Sequence, residues 1–225
     1  MDRRALEALE LGPVASLYGL ADAAAVAAVA PEAAPGSPVA DLDWTRLRAA
    51  VRDCTACALC RQRKQAVFGV GNESAPWLFV GEGPGADEDE QGEPFVGQAG
   101  RLLDSMLGAL GLRRGREVYI ANVVKCRPPG NRTPTPEEAA ACAAFLDRQI
   151  DLVAPKLIVA LGKTAAMRLL ATESSLGSLR GRVHRYRDTP LVVTYHPAYL
   201  LRNLPDKAKA WEDLLLARRT LAGLP

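Results

Sequence analysis

Short apolar runs alternate with segments of helical periodicity over most of the chain. Four runs, WLFV, VYIANVV, LIVAL and LVVTY, have the length and the β-branched content of buried strands. Amphipathic segments such as AGRLLDSMLGALGL and PDKAKAWEDLLLARR lie between or after them. Strands that alternate with helices indicate a parallel sheet flanked by helices, so the pattern predicts an α/β fold.

One predicted helix carries an explicit start signal. In TPTPEEAAACAAFLDRQIDLV, Thr135 stands at the cap, Pro136 at the first helical position and Glu138 three residues after the cap. This spacing is that of a capping box, in which the two side chains each accept a hydrogen bond from the other residue's main chain. The sequence therefore predicts a helix that begins at Pro136.

The first 40 residues differ from the rest in composition. Ten of the residues from 21 to 40 are alanine, and prolines follow at positions 31, 35 and 38. Such sequence is typical of linkers. We predict a flexible Ala/Pro-rich extension over residues 1–40 and one folded domain over residues 41–225.

The amino-acid composition indicates a globular domain but does not identify its function. The 48% hydrophobic and 24% charged content is that of a globular domain, and a net charge of +2 does not by itself identify a nucleic-acid binder. No apolar run reaches the length of a membrane span, and acidic residues interrupt the apolar N-terminal stretch. We therefore expect a cytoplasmic monomer with no membrane contact, whose cysteines are reduced thiols or metal ligands.

Four of the five cysteines form two pairs that suit a metal site. Cys54 and Cys57 have the C-x2-C spacing, and Cys126 and Cys142 flank an irregular segment that can fold them together. Four thiolates fit zinc or a 4Fe-4S cluster equally well by ligand number. Cys60 is surplus to either group. The alternative is that the cysteines are small buried apolar residues.

The segment GEGPGADEDEQGEPFVGQAG, residues 81–100, combines six glycines with six acidic residues. It matches a dinucleotide-binding turn only in part, because Pro84 intervenes and the acids would repel phosphates. ALGKT, residues 160–164, lacks the first glycine of a P-loop. Glycine main chain without side chains allows the flat ring of a neutral ligand to approach closely, and Phe95 could stack on that ring. The acids would stabilise positive charge developing on a sugar. An acidic solvent loop, with Phe95 in the core, is the alternative.

His196 follows the last predicted strand, in TYHPAYLLRN. Loops at the carboxyl ends of parallel strands carry the functional groups of α/β proteins, so His196 is a candidate hydrogen-bond donor to a leaving group. Tyr199, Leu200 and Leu201, with Arg202 beside them, are a candidate wedge for a base stack. A structural histidine and an ordinary first helical turn are the alternatives.

Taken together, these motifs resemble the family 4 uracil-DNA glycosylases, which contain an iron–sulfur cluster. The matching segments are CTAC, GEGPGADEDEQGEPFVGQAGRLLD, NVVKCRPPGNRTPTPEE, Cys142 and HPAYLLRN. The resemblance implies a three-layer α/β/α sandwich with a central, mostly parallel four-stranded sheet. It also implies a base-excision-repair hydrolase that flips deoxyuridine out of DNA, releases uracil and leaves an abasic site.

The resemblance also implies roles for single residues. Cys54, Cys57, Cys126 and Cys142 would hold the 4Fe-4S cluster. The uracil-binding residues would be Gly81, Glu82, Gly83, Phe95, Asn122 and His196. The catalytic residues would be Glu82, His196, Glu88 and Asn131, of which Glu82 is the candidate at the sugar. An inactive iron–sulfur protein that binds nucleic acid, or a redox protein, are the alternative functions.

Overall fold

The computed structural model describes residues 39–224, which form a six-stranded sheet with helices on both faces. The strands are β1 (Val70–Gly71), β2 (Trp77–Gly81), β3 (Val118–Asn122), β4 (Leu157–Leu161), β5 (Val183–Tyr186) and β6 (Thr189–Thr194). Their order is β1-β3-β2-β4-β6-β5. The four inner strands are parallel, and each edge strand is antiparallel to its neighbour.

Helices connect the parallel strands and cover the sheet. They are α1 (Trp44–Arg52), α2 (Ala86–Gln91), α3 (Gln98–Ala109), α4 (Pro136–Val153), α5 (Lys163–Leu170), α6 (Leu176–Leu179), α7 (Pro197–Leu200) and α8 (Asp206–Ala222). Two 3-10 turns cover Ala58–Arg61 and Pro129–Asn131. Parallel strands need such crossover connections, and this explains the alternation in the sequence.

The inner strands β2, β3 and β4 are buried along their whole length and β6 is buried except at Thr189; their side chains alternate between two cores. On one face, Leu78 and Ile158 pack with Leu47 of α1, Leu146 of α4 and other buried residues. On the other face, Phe79, Leu157 and Val159 pack with Leu103 of α3 and Leu214 of α8. Burial on both faces explains why these strands are continuous apolar runs in the sequence.

The predicted capping box starts α4. The Thr135 hydroxyl accepts from the Glu138 amide at 3.3 Å, and the Glu138 carboxylate accepts from the Thr135 amide at 2.8 Å. Arg132 adds two bonds to the same carboxylate, at 2.6 and 2.8 Å. This second attachment ties the segment before α4 to the helix start.

Three parts of the chain differ from the sequence pattern. The edge strands β1 and β5 extend the predicted four-stranded sheet to six; β1 has only two residues and β5 is largely exposed, so neither has a buried-strand pattern. Residues 86–91, which read as loop, form the helix α2. Asp87, Glu88 and Asp89 lie in its first turn, where negative charge stabilises a helix N-terminus.

The predicted extension falls outside the described residues, except for Val39 and Ala40. Val39 is buried and belongs to the core that faces α1 and α4. Within residues 39–224, no helix is both long enough and apolar enough to cross a lipid bilayer.

Candidate active site

A cleft of about 460 Å³ opens at the carboxyl edge of the parallel strands. Almost every catalytic or base-binding residue predicted from the sequence borders it. Its walls include Glu82, Gly83, Glu88, Phe95, Asn122, Asn131, Arg132, Thr133, His196, Tyr199 and Arg202. Gly81, the remaining predicted residue, lies beside Asn122 and Phe95. The fold therefore brings together segments that are separated by as many as about a hundred residues in the sequence.

Gly81 leaves room between two of these side chains. It ends β2 and pairs with Asn122, the last residue of β3. A Cβ added to Gly81 would lie 2.4 Å from Asn122 Oδ1 and 2.6 Å from Phe95 Cζ. Both distances are shorter than the van der Waals contact of a Cβ atom permits. Both side chains can therefore occupy these positions only because residue 81 is glycine.

The side chain of Asn122 is buried and incompletely satisfied. Only 2% of the residue is exposed, and its Oδ1 has no hydrogen-bond partner among the described residues. A buried polar atom without a partner costs about 1–3 kcal/mol. Such an atom at the base of a cleft is typical of a site that a ligand completes.

Phe95 is held in an unusual backbone conformation. Its φ is 58°, in the left-handed region that a bulky residue rarely adopts. Arg114 donates to the carbonyls of Phe95 and Pro94 at 2.8 and 2.7 Å. Gly100 allows close packing, because a Cβ there would lie 1.8 Å from the Phe95 carbonyl oxygen. Arg114 and Gly100 thus hold the main chain at Phe95; the sequence pattern indicates neither residue.

His196 caps the helix α7, and its ring lies 5.5 Å from that of Phe95 between centroids. Its Nδ1 accepts from the Ala198 amide at 3.2 Å, so the neutral ring carries its proton on Nε2. Burial lowers the pKa of His196 to about 4, although Glu88 opposes this shift and Arg202 adds to it. The neutral ring is therefore the form present near pH 7.

The carboxylate of Glu82, which follows β2, is held by a residue of the connection between β4 and α5. The Thr164 hydroxyl, at the start of α5, donates a hydrogen bond to the Glu82 carboxylate. In the sequence, Thr164 ends the segment ALGKT, which lacks the first glycine of a P-loop. Its contact with Glu82 gave no signal in the sequence, because the two residues are 82 positions apart.

Glu88 closes the loop that surrounds Phe95. Its Oε1 accepts from the amides of Val96 and Gly97, at 3.0 and 3.1 Å. Its Oε2 accepts from the amide of Gly85 at 3.0 Å. The carboxylate therefore joins both ends of this loop while it borders the cleft.

Polar and basic side chains form another part of the cleft lining. Asn131 has a left-handed φ of 56°, and its side-chain oxygen accepts from Arg127 Nε at 2.7 Å. Arg132 and Arg202 also border the cleft. Their positive charges suit a ligand that carries phosphates next to the base-sized space.

All five cysteines line one small cavity between α1, the segment before α4 and α4 itself. The cavity thus joins the two predicted pairs, and Cys60 also borders it. Within residues 39–224, however, no three or more His, Cys, Asp or Glu side chains are grouped so as to hold a single metal ion. A four-iron cluster has different requirements, because its four ligands bind four separate iron atoms.

Hydrogen-bond donors surround these sulfur atoms. Arg63 Nη1 lies 2.8 Å from Cys126 Sγ, and the Lys125 amide lies 3.3 Å from Cys142 Sγ. The side chain of Lys125 is buried and donates to the Asn122 carbonyl at 2.8 Å and to Gln149 at 2.5 Å. Donors and positive charge beside thiolates fit a negatively charged thiolate-bound cluster.

Comparison with known proteins identifies close relatives. The family model described as the uracil DNA glycosylase superfamily matches residues 68–215. A type-4 uracil-DNA glycosylase of Thermotoga maritima is 50% identical over 155 residues, 68% of this chain and 80% of that protein. The type-4 uracil-DNA glycosylase of Pyrobaculum aerophilum is 42% identical over 183 residues, which are 78% of this chain and 93% of that protein. The one of Archaeoglobus fulgidus is 45% identical over 159 residues, which are 67% of this chain and 79% of that protein.

Proposed function

The chain belongs to the uracil DNA glycosylase superfamily, and we propose that it excises uracil from DNA as a base-excision-repair enzyme. In this proposal it flips deoxyuridine into the cleft and hydrolyses the bond between uracil N1 and sugar C1′. The products are free uracil and an abasic site. The observation that carries the proposal is the buried, unpartnered Oδ1 of Asn122 at the base of the cleft.

The Asn122 amide suits the edge of uracil that distinguishes it from cytosine. Its oxygen can accept from N3–H and its NH2 group can donate to O4. Cytosine presents an unprotonated N3 and an amino group at these positions, so both contacts would be mismatched. Phe95 would stack on the base, and Gly81 and Gly83 would leave space for its plane.

His196 is proposed to stabilise the leaving base. When the N1–C1′ bond breaks, its electron pair moves to the base and negative charge develops at uracil O2. The Nε2 proton of the neutral His196 ring can donate to that oxygen, because Nδ1 is occupied by the Ala198 amide. Full protonation of the base is not required, since the uracil anion is itself a leaving group.

Glu82 is proposed to act on the sugar side. Positive charge grows at C1′ as the bond breaks, and a carboxylate at the cleft wall stabilises it. Thr164 would hold this carboxylate in place. Water then adds to C1′, and the proton that it loses neutralises the released uracil anion through solvent; Glu82 and Asn131 are the candidate groups that orient this water. For Glu88 we favour a positioning role, since both its oxygens already accept main-chain N–H bonds.

We further propose that Cys54, Cys57, Cys126 and Cys142 hold a 4Fe-4S cluster, with Cys60 outside the ligand set. The group would act structurally, by linking the segment after α1 to the segments around α4. Reduced thiols require a reducing compartment, so a cytoplasmic location is part of the proposal. Arg127, Arg132 and Arg202 would contact phosphates of the uracil-containing DNA, to which the protein would bind as a monomer.

The test is an excision assay on a labelled duplex that contains one uracil, followed by alkali cleavage. We expect cleavage at uracil and none at thymine or cytosine in otherwise identical duplexes. His196→Ala should reduce the rate about a hundred-fold or more, as for loss of one charge-stabilising donor. His184→Ala is the matched control, because His184 lies on β5 and contacts the Leu179 carbonyl.

A purified, iron-loaded protein that binds the duplex but leaves no alkali-labile site would disprove the proposal. That result would favour the alternative of a nucleic-acid-binding protein without glycosylase activity. Equal losses in His196→Ala and His184→Ala would instead remove His196 from the mechanism.

A further inference from the structure

The cleft is bordered by one ring of an aromatic pair that the proposed mechanism does not use. The rings of Tyr195 and Tyr199 lie 5.1 Å apart between centroids, with an angle of 12° between their planes. Tyr195 directly follows β6, and Tyr199 lies in α7, beyond His196 along the chain. Tyr199 borders the cleft and is 36% exposed. The pair therefore reaches from the end of the sheet to the cleft.

Arg180 holds the first ring of this pair. Its guanidinium carbon lies 4.3 Å from the centroid of the Tyr195 ring, which is a cation–π contact. Its Nε donates to Asp213 Oδ2 at 2.7 Å, and its Nη2 donates to the Lys209 carbonyl at 2.6 Å. Because Asp213 and Lys209 both belong to α8, the guanidinium joins that helix to the residue after β6.

The carboxylate of Asp213 fixes the orientation of Arg180. The side chains of this ion pair are 11% exposed for Arg180 and 1% exposed for Asp213. The second carboxylate oxygen accepts from the Gly181 amide at 3.3 Å. A buried carboxylate is costly without a charged partner, so the guanidinium cannot easily leave this position.

The second ring is held from its hydroxyl end. The Tyr199 hydroxyl donates to Asp206 Oδ2 at 2.7 Å, and Asp206 also forms an ion pair with Lys209 at 2.9 Å. The plane of the Tyr199 ring is thus set by Tyr195 and its tip by α8. Leu200, the next candidate for the wedge, is only 1% exposed. It cannot meet a base unless α7 moves, whereas Tyr199 can.

We propose that Arg180 is a positioning residue for DNA binding. Through Tyr195 it holds the Tyr199 ring at the cleft, and this ring stacks on a nucleobase next to the flipped uridine. Tyr195 occupies one face of the Tyr199 ring, so the base stacks on the opposite face. The inference rests on the proposed excision of uracil from DNA, and it adds a group that contacts the neighbouring nucleotide.

The chemistry of the pair favours a nucleobase as its partner. Stacking on an aromatic ring tolerates every base, which suits an enzyme that must find uracil in any sequence. The Arg202 amide donates to the Tyr199 carbonyl at 3.0 Å, and Arg202 also borders the cleft, where its charge suits a phosphate. A ring that is fixed before DNA binds loses little conformational freedom on binding.

The test measures the affinity of the full-length protein, as purified, for a duplex that contains one 2′-fluoro-2′-deoxyuridine. The fluorine opposes positive charge at C1′, so the base stays attached during the measurement. The single-turnover rate of excision at saturating protein is measured in parallel on the same duplex with ordinary deoxyuridine.

The variants separate the stack from the buried ion pair. Arg180→Met is combined with Asp213→Asn, because Arg180→Met alone leaves a buried carboxylate without its partner. Tyr195→Leu removes the stack but keeps the ion pair, and Tyr195→Phe restores the ring. Arg182→Met is the matched control, since Arg182 is exposed and contacts the Ser178 carbonyl. Near-UV circular dichroism checks each fold, and Tyr195→Leu carries the test if the double variant is unfolded.

We expect the double variant and Tyr195→Leu each to weaken binding by about ten-fold or more, the scale of one base–aromatic stack. Tyr195→Phe should recover the affinity, and Arg182→Met should bind like the unaltered protein. The excision rate at saturating protein should change by less than about three-fold, because the loss lies in binding. When Tyr199→Leu has already removed the stacking ring, the double replacement should cause no further loss.

Unweakened binding in both the double variant and Tyr195→Leu would overturn the inference. A further loss of about ten-fold in the Tyr199→Leu background would also overturn it, because the effect would then be one of general packing. If the unaltered protein excises uracil, either result refutes this inference alone. If the unaltered protein does not excise uracil, the proposed function fails and the inference fails with it.

Discussion

The hydroxyl of Thr164 donates a hydrogen bond to the carboxylate of Glu82, which links two adjacent β–α connections at the cleft. Glu82 follows β2, and Thr164 lies in the first turn of α5, after β4. Since β2 and β4 are neighbours in the sheet, these two connections meet at its carboxyl edge. The orientation of the proposed sugar-side carboxylate therefore depends on a residue outside the glycine-rich segment.

The first prediction tests this link. Thr164→Val keeps the shape of the side chain and removes the donor, so the Glu82 carboxylate loses one fixed contact. We expect the single-turnover rate of uracil excision to fall about ten-fold, the effect of losing a hydrogen bond to a charged group. Thr164→Ser should retain most of the rate, and the affinity for DNA should be unchanged in both variants. A Thr164→Ser loss as large as that of Thr164→Val would indicate a packing effect instead.

The second prediction concerns the space above Gly81. Gly81→Ala introduces a methyl group that would overlap Asn122 Oδ1 and the Phe95 ring, so both must move. We expect excision to be lost almost completely, while binding to undamaged DNA persists. Gly108→Ala in α3 is the control, because a Cβ there meets nothing within 4 Å and should stabilise the helix by about 0.5–1 kcal/mol. Normal activity of Gly81→Ala would contradict the proposed base position.

The third prediction is a pH dependence of stability. Because the pKa of His196 falls from 6.5 to about 4 on folding, the unfolded chain binds a proton that the folded protein does not bind between these values. The contribution of His196 to stability is therefore complete above pH 6.5 and declines as the pH falls towards 4. We expect the Tm of the unaltered protein to fall relative to His196→Gln over this window, and the difference to level off below it.

The same measurement on His184→Gln supplies the control for this comparison. A Tm difference between the unaltered protein and His196→Gln that stays constant from pH 7 to about pH 4 would mean that His196 titrates normally.

The fourth prediction separates the proposed cluster ligands from the surplus thiol. Cys57→Ser should lose bound iron and lower the Tm, because ligand binding and folding are coupled. Cys60→Ser should keep the iron content of the unaltered protein, although Cys60 borders the same cavity. Iron per protein chain and the visible absorbance of the purified proteins give the result. Equal iron loss in the two variants would refute the ligand assignment.

The sequence predicted the inner part of the fold well, for a physical reason. Strands buried on both faces must be continuously apolar, and a capping box such as that of Thr135 and Glu138 is a local signal. The two edge strands escaped prediction because an exposed strand such as β5 has no such requirement. The helix α2 was not predicted because a run of acidic residues is also typical of a solvent-exposed loop. Only the structure shows that these residues lie at a helix N-terminus, where they are stabilising.

The same distinction applies to the cleft. Asn122 and His196 stand next to strand ends and Phe95 stands in the glycine-rich segment, and the structure brings the three together. Arg114 lies in no recognisable motif, and the segment ALGKT, which contains Thr164, gives no indication of a contact with Glu82. Each acts through a contact between distant positions, and such a contact becomes visible only when the chain is folded.

Lys125 connects the proposed cofactor to the proposed reader of the base. Its amide points to the sulfur of Cys142, and its ammonium group holds the carbonyl of Asn122. The position of the Asn122 main chain and the surroundings of the Cys142 sulfur therefore share one buried residue. A change in the packing of the cysteine cavity and a change at the floor of the cleft are thus coupled through Lys125, although the two sites lie on different segments of the chain.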